Sequence, residues 1–97
     1  MQGSAVQTPT SPGIPVNAIS SNQAGGYIVN PLLAVDQGLT VAEVLFVNQV
    51  GPANVIANGT TIALEPGQSY TIIPNTTTPV SVASASANHK FTAVQWI

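Results

Sequence analysis

Turn signals recur about every ten residues from Thr40 to the end of this chain, and the runs between them are too short for a substantial helix. Gly51-Pro52, Asn58-Gly59, Glu65-Pro66-Gly67-Gln68, the loop from Asn75 to Pro79, and Asn88-His89 separate segments rich in Val, Ile, Thr and Ala. Short alternating segments at that spacing predict an antiparallel all-β domain of six strands from residue 40 onward. Asn58-Gly59 is the sharpest of these signals. A two-residue loop of type I′ needs φ > 0 at both central positions, which Asn and Gly tolerate. Such a turn places Ala57 opposite Thr60, Val55 opposite Ile62 and Ala53 opposite Leu64. These six share one nearly apolar face, and a slip of one residue would mix the two faces.

The other segments follow the same rule. In residues 40–50, Val41, Glu43, Leu45 and Val47 share one face, and Ala42, Val44, Phe46 and Asn48 share the other. With both faces mostly apolar, the strand belongs inside a sheet or under cover on both sides. Glu65 to Gln68 places Pro and Gly where a type II turn prefers them. Tyr70 and Ile72 fall on one face of the next strand, and Val80 and Val82 point inward in the one after. In the last strand, Phe91, Ala93, Gln95 and Ile97 oppose Thr92, Val94 and Trp96. Upstream, Gly25-Gly26 marks a break before a short strand at Tyr27 to Val29, which Asn30-Pro31 stops. Residues 32–39 fit a single helical turn ended by Gly38, or an irregular stretch.

Residues 1–25 differ in character. Pro9, Pro12 and Pro15 recur every third position among Gln, Thr, Ser and Gly, which favours extended backbone without a core of its own. Two readings follow: a disordered tail, or an arm that orders against a neighbouring subunit through Ile14, Val16 and Ile19. The organisation expected is therefore an extended N-terminal arm (1–25) and a β-domain (26–97). The fold expected is a small antiparallel β-sandwich or barrel, jelly-roll-like in form.

Charge narrows the function. Only 4% of the 97 residues are charged, against an average of about 25%. Asp36, Glu43 and Glu65 against Lys90 give a net charge of −2. Nucleic-acid binding needs several Lys or Arg to neutralise phosphates and is not expected. Weak colloidal repulsion favours association, and a small β-domain without disulfides gains most from a partner chain. Glu43 reads either as an exposed edge residue or as a cross-sheet partner of Lys90. No apolar run approaches the ~20 residues of a membrane span, and the N-terminus lacks the pattern of a signal peptide, so synthesis in a cytoplasm is expected.

Little in the chain carries chemistry. His89 is the single histidine and there is no cysteine, so neither a metal site nor any other cofactor is expected. The carboxylates lie in separate segments without a calcium-loop spacing. No nucleophile elbow or phosphate-cradling glycine loop occurs, and no enzymatic activity is expected. Asn58 with Thr60, and Asn75 with Thr77, match the glycosylation pattern but read as turn chemistry. Tyr27, Tyr70 and Trp96 bring large area with a polar handle, which suits packing or an interface.

The stretches "GGYIVNPLLAVDQGL" (25–39) and "VLFVNQVGPANVIANGTTIALEPGQSYTI" (44–72), with their hydroxyl- and amide-rich surface, resemble small virion proteins of tailed bacteriophages. The resemblance implies a capsid decoration, or cement, protein on the virion exterior. Such a protein stabilises an icosahedral shell by clamping adjacent major capsid subunits, often as a homotrimer. Its expected partners are the major capsid protein and further copies of itself. The interface residues expected are Ile14, Val16, Ile19, Tyr27 and Trp96. The alternative is a tail, fibre or adhesin-type module that binds a host glycan.

Overall fold

The computed structural model describes residues 5–8, 11–21, 24–50, 61–73 and 78–96, with 5–8 and 96 described as backbone alone. Along the chain lie β1 (Ala5–Thr8), β2 (Val16–Ile19), β3 (Gly25–Val29), α1 (Ala34–Gln37), β4 (Leu45–Asn48), β5 (Thr61–Leu64), β6 (Ser69–Thr71), β7 (Val80–Ser84) and β8 (Phe91–Trp96). They form two antiparallel sheets, ordered β1-β8-β3-β6 and β2-β7-β4-β5. First therefore pairs with last, second with seventh, third with sixth and fourth with fifth. The chain is one long hairpin folded over and rolled up, which is the jelly roll. The sheets do not close into a barrel, so of the two architectures expected the sandwich is the one adopted.

Alternation builds the core. Ile28, Phe91, Ala93 and Ile72 come from the first sheet and its margin. Ile19, Val80, Val82, Leu45, Val47 and Leu64 come from the second, and all ten are buried together. Residues between them face outward: Tyr27 beside Val94 and Thr71 on one sheet, Phe46 beside Ala63 and Ala83 on the other. β4 lies between β7 and β5, the interior position its two apolar faces imply.

Several local expectations hold. Gly67 sits at φ +88°, and Gln68 N–H donates to the Glu65 carbonyl at 3.0 Å, which is the type II turn. Gly38 closes α1 in the left-handed conformation. Asn88 turns the chain with φ +64°. The Asn58-Gly59 turn, its three cross-strand pairs, the expected strand over 53–57 and both glycosylation patterns lie wholly or partly outside the described residues. What is described of that hairpin is β5, whose Ile62 and Leu64 pair with Val47 and Leu45.

Three expectations are corrected. Residues 5–8 and 16–19 are strands of the domain's own sheets, and Ile19 is 1% exposed. Proline spacing makes this segment extended, but extended backbone is also what an edge strand requires. Gly25-Gly26 is not a break: both residues lie in β3, opposite Trp96 and Gln95. A Cβ on Gly26 would overlap the Val94 carbonyl oxygen, a backbone atom that cannot swing aside. Gly26→Ala is therefore expected to cost about 3 kcal/mol, the upper end for overpacking, read as a lower midpoint in urea unfolding with little change in slope. Finally, β4 starts at Leu45 and not at Thr40. The Gln37 side chain takes both the N–H and the carbonyl of Glu43, withdrawing them from the ladder.

Candidate functional site

The connections β3–β4, β5–β6 and β7–β8 meet at one end of the sandwich, tied by backbone bonds. Gly67 N–H reaches the Asn30 carbonyl (2.9 Å), Asn30 N–H reaches Gln68 (2.9 Å), and Lys90 N–H reaches Gln37 (2.8 Å). The β1–β2 connection joins them through Gly13 N–H and the Ser84 carbonyl (2.7 Å). All four charged residues of the chain lie at this end: Asp36 and Glu43 on β3–β4, Glu65 on β5–β6, Lys90 on β7–β8. The strands themselves carry no ion.

Beneath the surface of this end lies a network of side-chain amides. Asn30 is fully buried just after β3, in the first sheet. Its Nδ2 donates to the carbonyls of Leu64 (2.9 Å), the last residue of β5 in the second sheet, and of Glu43 (3.0 Å), just before β4. Its Oδ1 accepts from Gln37 Nε2 (2.9 Å) and meets His89 Nε2 (2.9 Å). Gln37, also fully buried, holds Pro31 and Glu43 as well. Glu43 Oε2 accepts from Ser86 Oγ (2.8 Å), so Ser86 and not Lys90 is the partner of this carboxylate. The Lys90 stem instead runs past Gly38. Two buried atoms in the network have no partner, Glu43 Oε1 and His89 Nδ1. Burial lowers the His89 pKa below its ordinary value, and the Glu43 carboxylate partly opposes this.

The network fixes a connection whose outer side is apolar. Leu32 (66% exposed), Leu33 (55%), Val35 (76%) and Val41 (69%) all fall within residues 32–41. Ile14 is exposed on the neighbouring β1–β2 connection. A single helical turn does not normally persist alone in water. Here Gln37, anchored from within, holds α1 in place and directs Val35 outward. The result is an apolar rim on a scaffold closed by hydrogen bonds.

The opposite end is closed by a third buried amide. Gln49 Nε2 donates to the Ile73 carbonyl (2.7 Å), and Gln49 Oε1 accepts from Ile73 N–H (3.2 Å) and from the Tyr70 hydroxyl. Burial raises the Tyr70 pKa. An open hollow of about 350 Å³ lies between Asn17, Ser20, Ser21, Pro79 and Gln95. Among the described residues, no three of His, Cys, Asp and Glu come together, and no helix is long and apolar enough to cross a membrane.

Comparison with known protein families, with curated proteins and with solved structures finds no match. The geometry therefore stands alone.

The five residues expected at an interface are scattered by the fold. Ile14 is exposed at the rim end, while Val16 is half-buried against the core. Ile19 is in the core and is removed from the set, because a folded chain cannot offer it to a partner. Tyr27 is half-buried on the outer face of its sheet, and Trp96 pairs with Gly25 through the backbone. Of the rim, Leu32, Leu33 and Val35 were legible only as an ambiguous turn, and Val41 was expected on a strand face with Leu45 and Val47, whereas it lies before β4 and is exposed. The signal for the first three is large apolar residues in a segment, 32–39, that shows no strand alternation.

Proposed function

We propose that this protein is a virion structural protein that decorates the outside of an icosahedral phage shell. The observation that carries the reading is the rim of Leu32, Leu33, Val35 and Val41, large apolar side chains left in water at one end of a chain with almost no ions. Four large apolar side chains exposed within ten residues of one connection are the kind of surface that marks an interaction site. The rim docks on the major capsid protein across adjacent subunits. The two outer sheet faces, built from residues such as Tyr27, Val94, Phe46 and Ala83, suit side-by-side contact between copies in a homotrimer. Jelly rolls occur in viral capsid and lectin domains alike, so the fold alone does not choose between functions.

The test is cosedimentation with expanded, empty shells. The wild-type chain is expected to pellet with them, with little change between low and moderate salt, because the contact is carried by the apolar side chains and not by the exposed Asp36, Glu65 and Lys90 at the same end. The double variant Val35→Ser, Val41→Ser is expected to remain in the supernatant. Its thermal midpoint should hardly move, since exposed substitutions usually change stability by less than about 0.5 kcal/mol. Equal pelleting of the two proteins, or steep loss of binding with salt, would contradict the docking mode.

The glycan-binding reading has one observation in its favour, the open hollow at the opposite end, where Asn17, Ser20, Ser21 and Gln95 stand beside the apolar Ala18, Ile19 and Pro79. Glycan-array binding lost in Asn17→Ala but kept in the rim variant would favour that reading over decoration.

A further inference from the structure

The amide network contains one group, His89, whose ordinary pKa lies near neutrality. Asn30 Nδ2 faces two backbone carbonyls, so its Oδ1 is the atom turned toward Gln37 and His89. An oxygen there requires a donor, which places the His89 proton on Nε2. Nδ1 is then a bare lone pair, buried, with no partner. A proton added to it would create a buried cation whose new N–H has no acceptor in the present arrangement. Glu43 Oε1 is the other unpartnered buried atom of the network, and turning it toward His89 would disturb the Ser86 contact of the same carboxylate. The remaining charged groups at this end, Asp36, Glu65 and Lys90, are exposed.

We infer that His89 is an acid-sensitive latch on the β3–β4 connection, so that its protonation loosens the segment that presents the apolar rim. The connection depends on this network: Glu43 N–H and Lys90 N–H both end on Gln37 oxygens, and Gln37 shares Asn30 Oδ1 with His89. The sign follows from burial. The folded form holds the neutral imidazole, with a pKa lowered chiefly by desolvation. A hydrated histidine binds its proton near pH 6.5. The latch is therefore closed above that pH and weakens as the pH falls below it. In consequence, a docked chain is released or repositioned by mild acid. That consequence rests on the decoration reading, whereas the latch itself does not.

The test uses the free full-length chain, so failure to bind shells and failure of the latch are read separately. Amide hydrogen exchange is compared at about pH 7.5 and about pH 5, which brackets histidine titration, with the intrinsic rates corrected. The amides of Gly38, Leu39, Glu43 and Lys90 are expected to lose about tenfold protection per pH unit below the hydrated value, while Val47 and Val82 hold theirs. His89→Gln, which keeps an amide donor toward Asn30, is expected to lose none. Equal protection at both pH values, or an equal loss in H89Q, would overturn the inference. Should H89Q not fold, the imidazole titration of the wild-type chain decides, since His89 is its single histidine. A value below about 6.5 supports the latch, and one at or above it overturns it.

Discussion

A chain that begins at Gly25 is expected to show no cooperative unfolding transition. It would lack β1 and β2, the partners of β8 and β7, and with them Ile19, which is 1% exposed among Val80, Val82 and the rest of the core. Truncating one such side chain to alanine typically costs about 2–5 kcal/mol. Here the whole strand, its backbone ladder and the half-buried Val16 go as well. Total stability is roughly 5–15 kcal/mol for a domain, and a chain of this length sits in the lower part of that range. The loss is comparable to everything the fold has. Circular dichroism against urea measures it. A truncated chain with a wild-type midpoint would show that residues 1–24 are a dispensable arm after all.

The second large effect comes from a change of almost no volume. Asn30→Asp is expected to destabilise the protein by about 3–5 kcal/mol, because a carboxylate oxygen replaces the donor that faces the Leu64 and Glu43 carbonyls. At roughly 4–8 °C per kcal/mol for a domain of this size, the thermal midpoint falls by about 12 °C or more. Packing is preserved, so the loss reports hydrogen bonding. Burial against carbonyls raises the pKa of the introduced Asp above its ordinary value. Acidification then protonates it and restores one donor, so the deficit relative to wild type should shrink as pH falls. A midpoint drop of less than about 4 °C, or a deficit that grows in acid, would contradict this account of the network.

The contrast between these two cases explains what the sequence could reveal. Short-range chemistry was legible. Pro66-Gly67 specifies its turn, Gly38 ends its helical turn, and alternation places Val80 and Val82 inside and puts Phe91 and Ala93 together on one face, which the structure shows to be the buried one. Each depends on residues a few positions apart. The rolled-up topology does not, since β1 and β8 lie at opposite ends of the chain. Residues 1–25 were read as an arm because prolines report only that the backbone is extended, and say nothing about which strand lies alongside. The buried amides were hidden for a related reason. Asn30 before Pro31 looks like a strand stop, and Gln37 before Gly38 looks like the end of a turn. Both are, but each side chain also closes the sandwich from within. A chain without ions must satisfy the backbone groups at its ends with neutral side chains, and that requirement becomes specific only once the two sheets are in place.

The rim shows the same limit from the functional side. Alternation explains why Leu45 and Val47 are buried, but it gives no reason for Leu32, Leu33, Val35 and Val41 to be exposed. Val35 lies in α1, which Gln37 pins from within through Asn30 and Pro31, and Leu32, Leu33 and Val41 flank that turn in the same connection.

Electron cryomicroscopy of empty phage shells mixed with the chain tests the central claim most directly. The account predicts added density on the outer surface, with the end that carries residues 30–44 against the shell, and bare shells with the Val35→Ser, Val41→Ser variant. Shells left bare by the wild-type chain, or density with that end pointing into solvent, would contradict it.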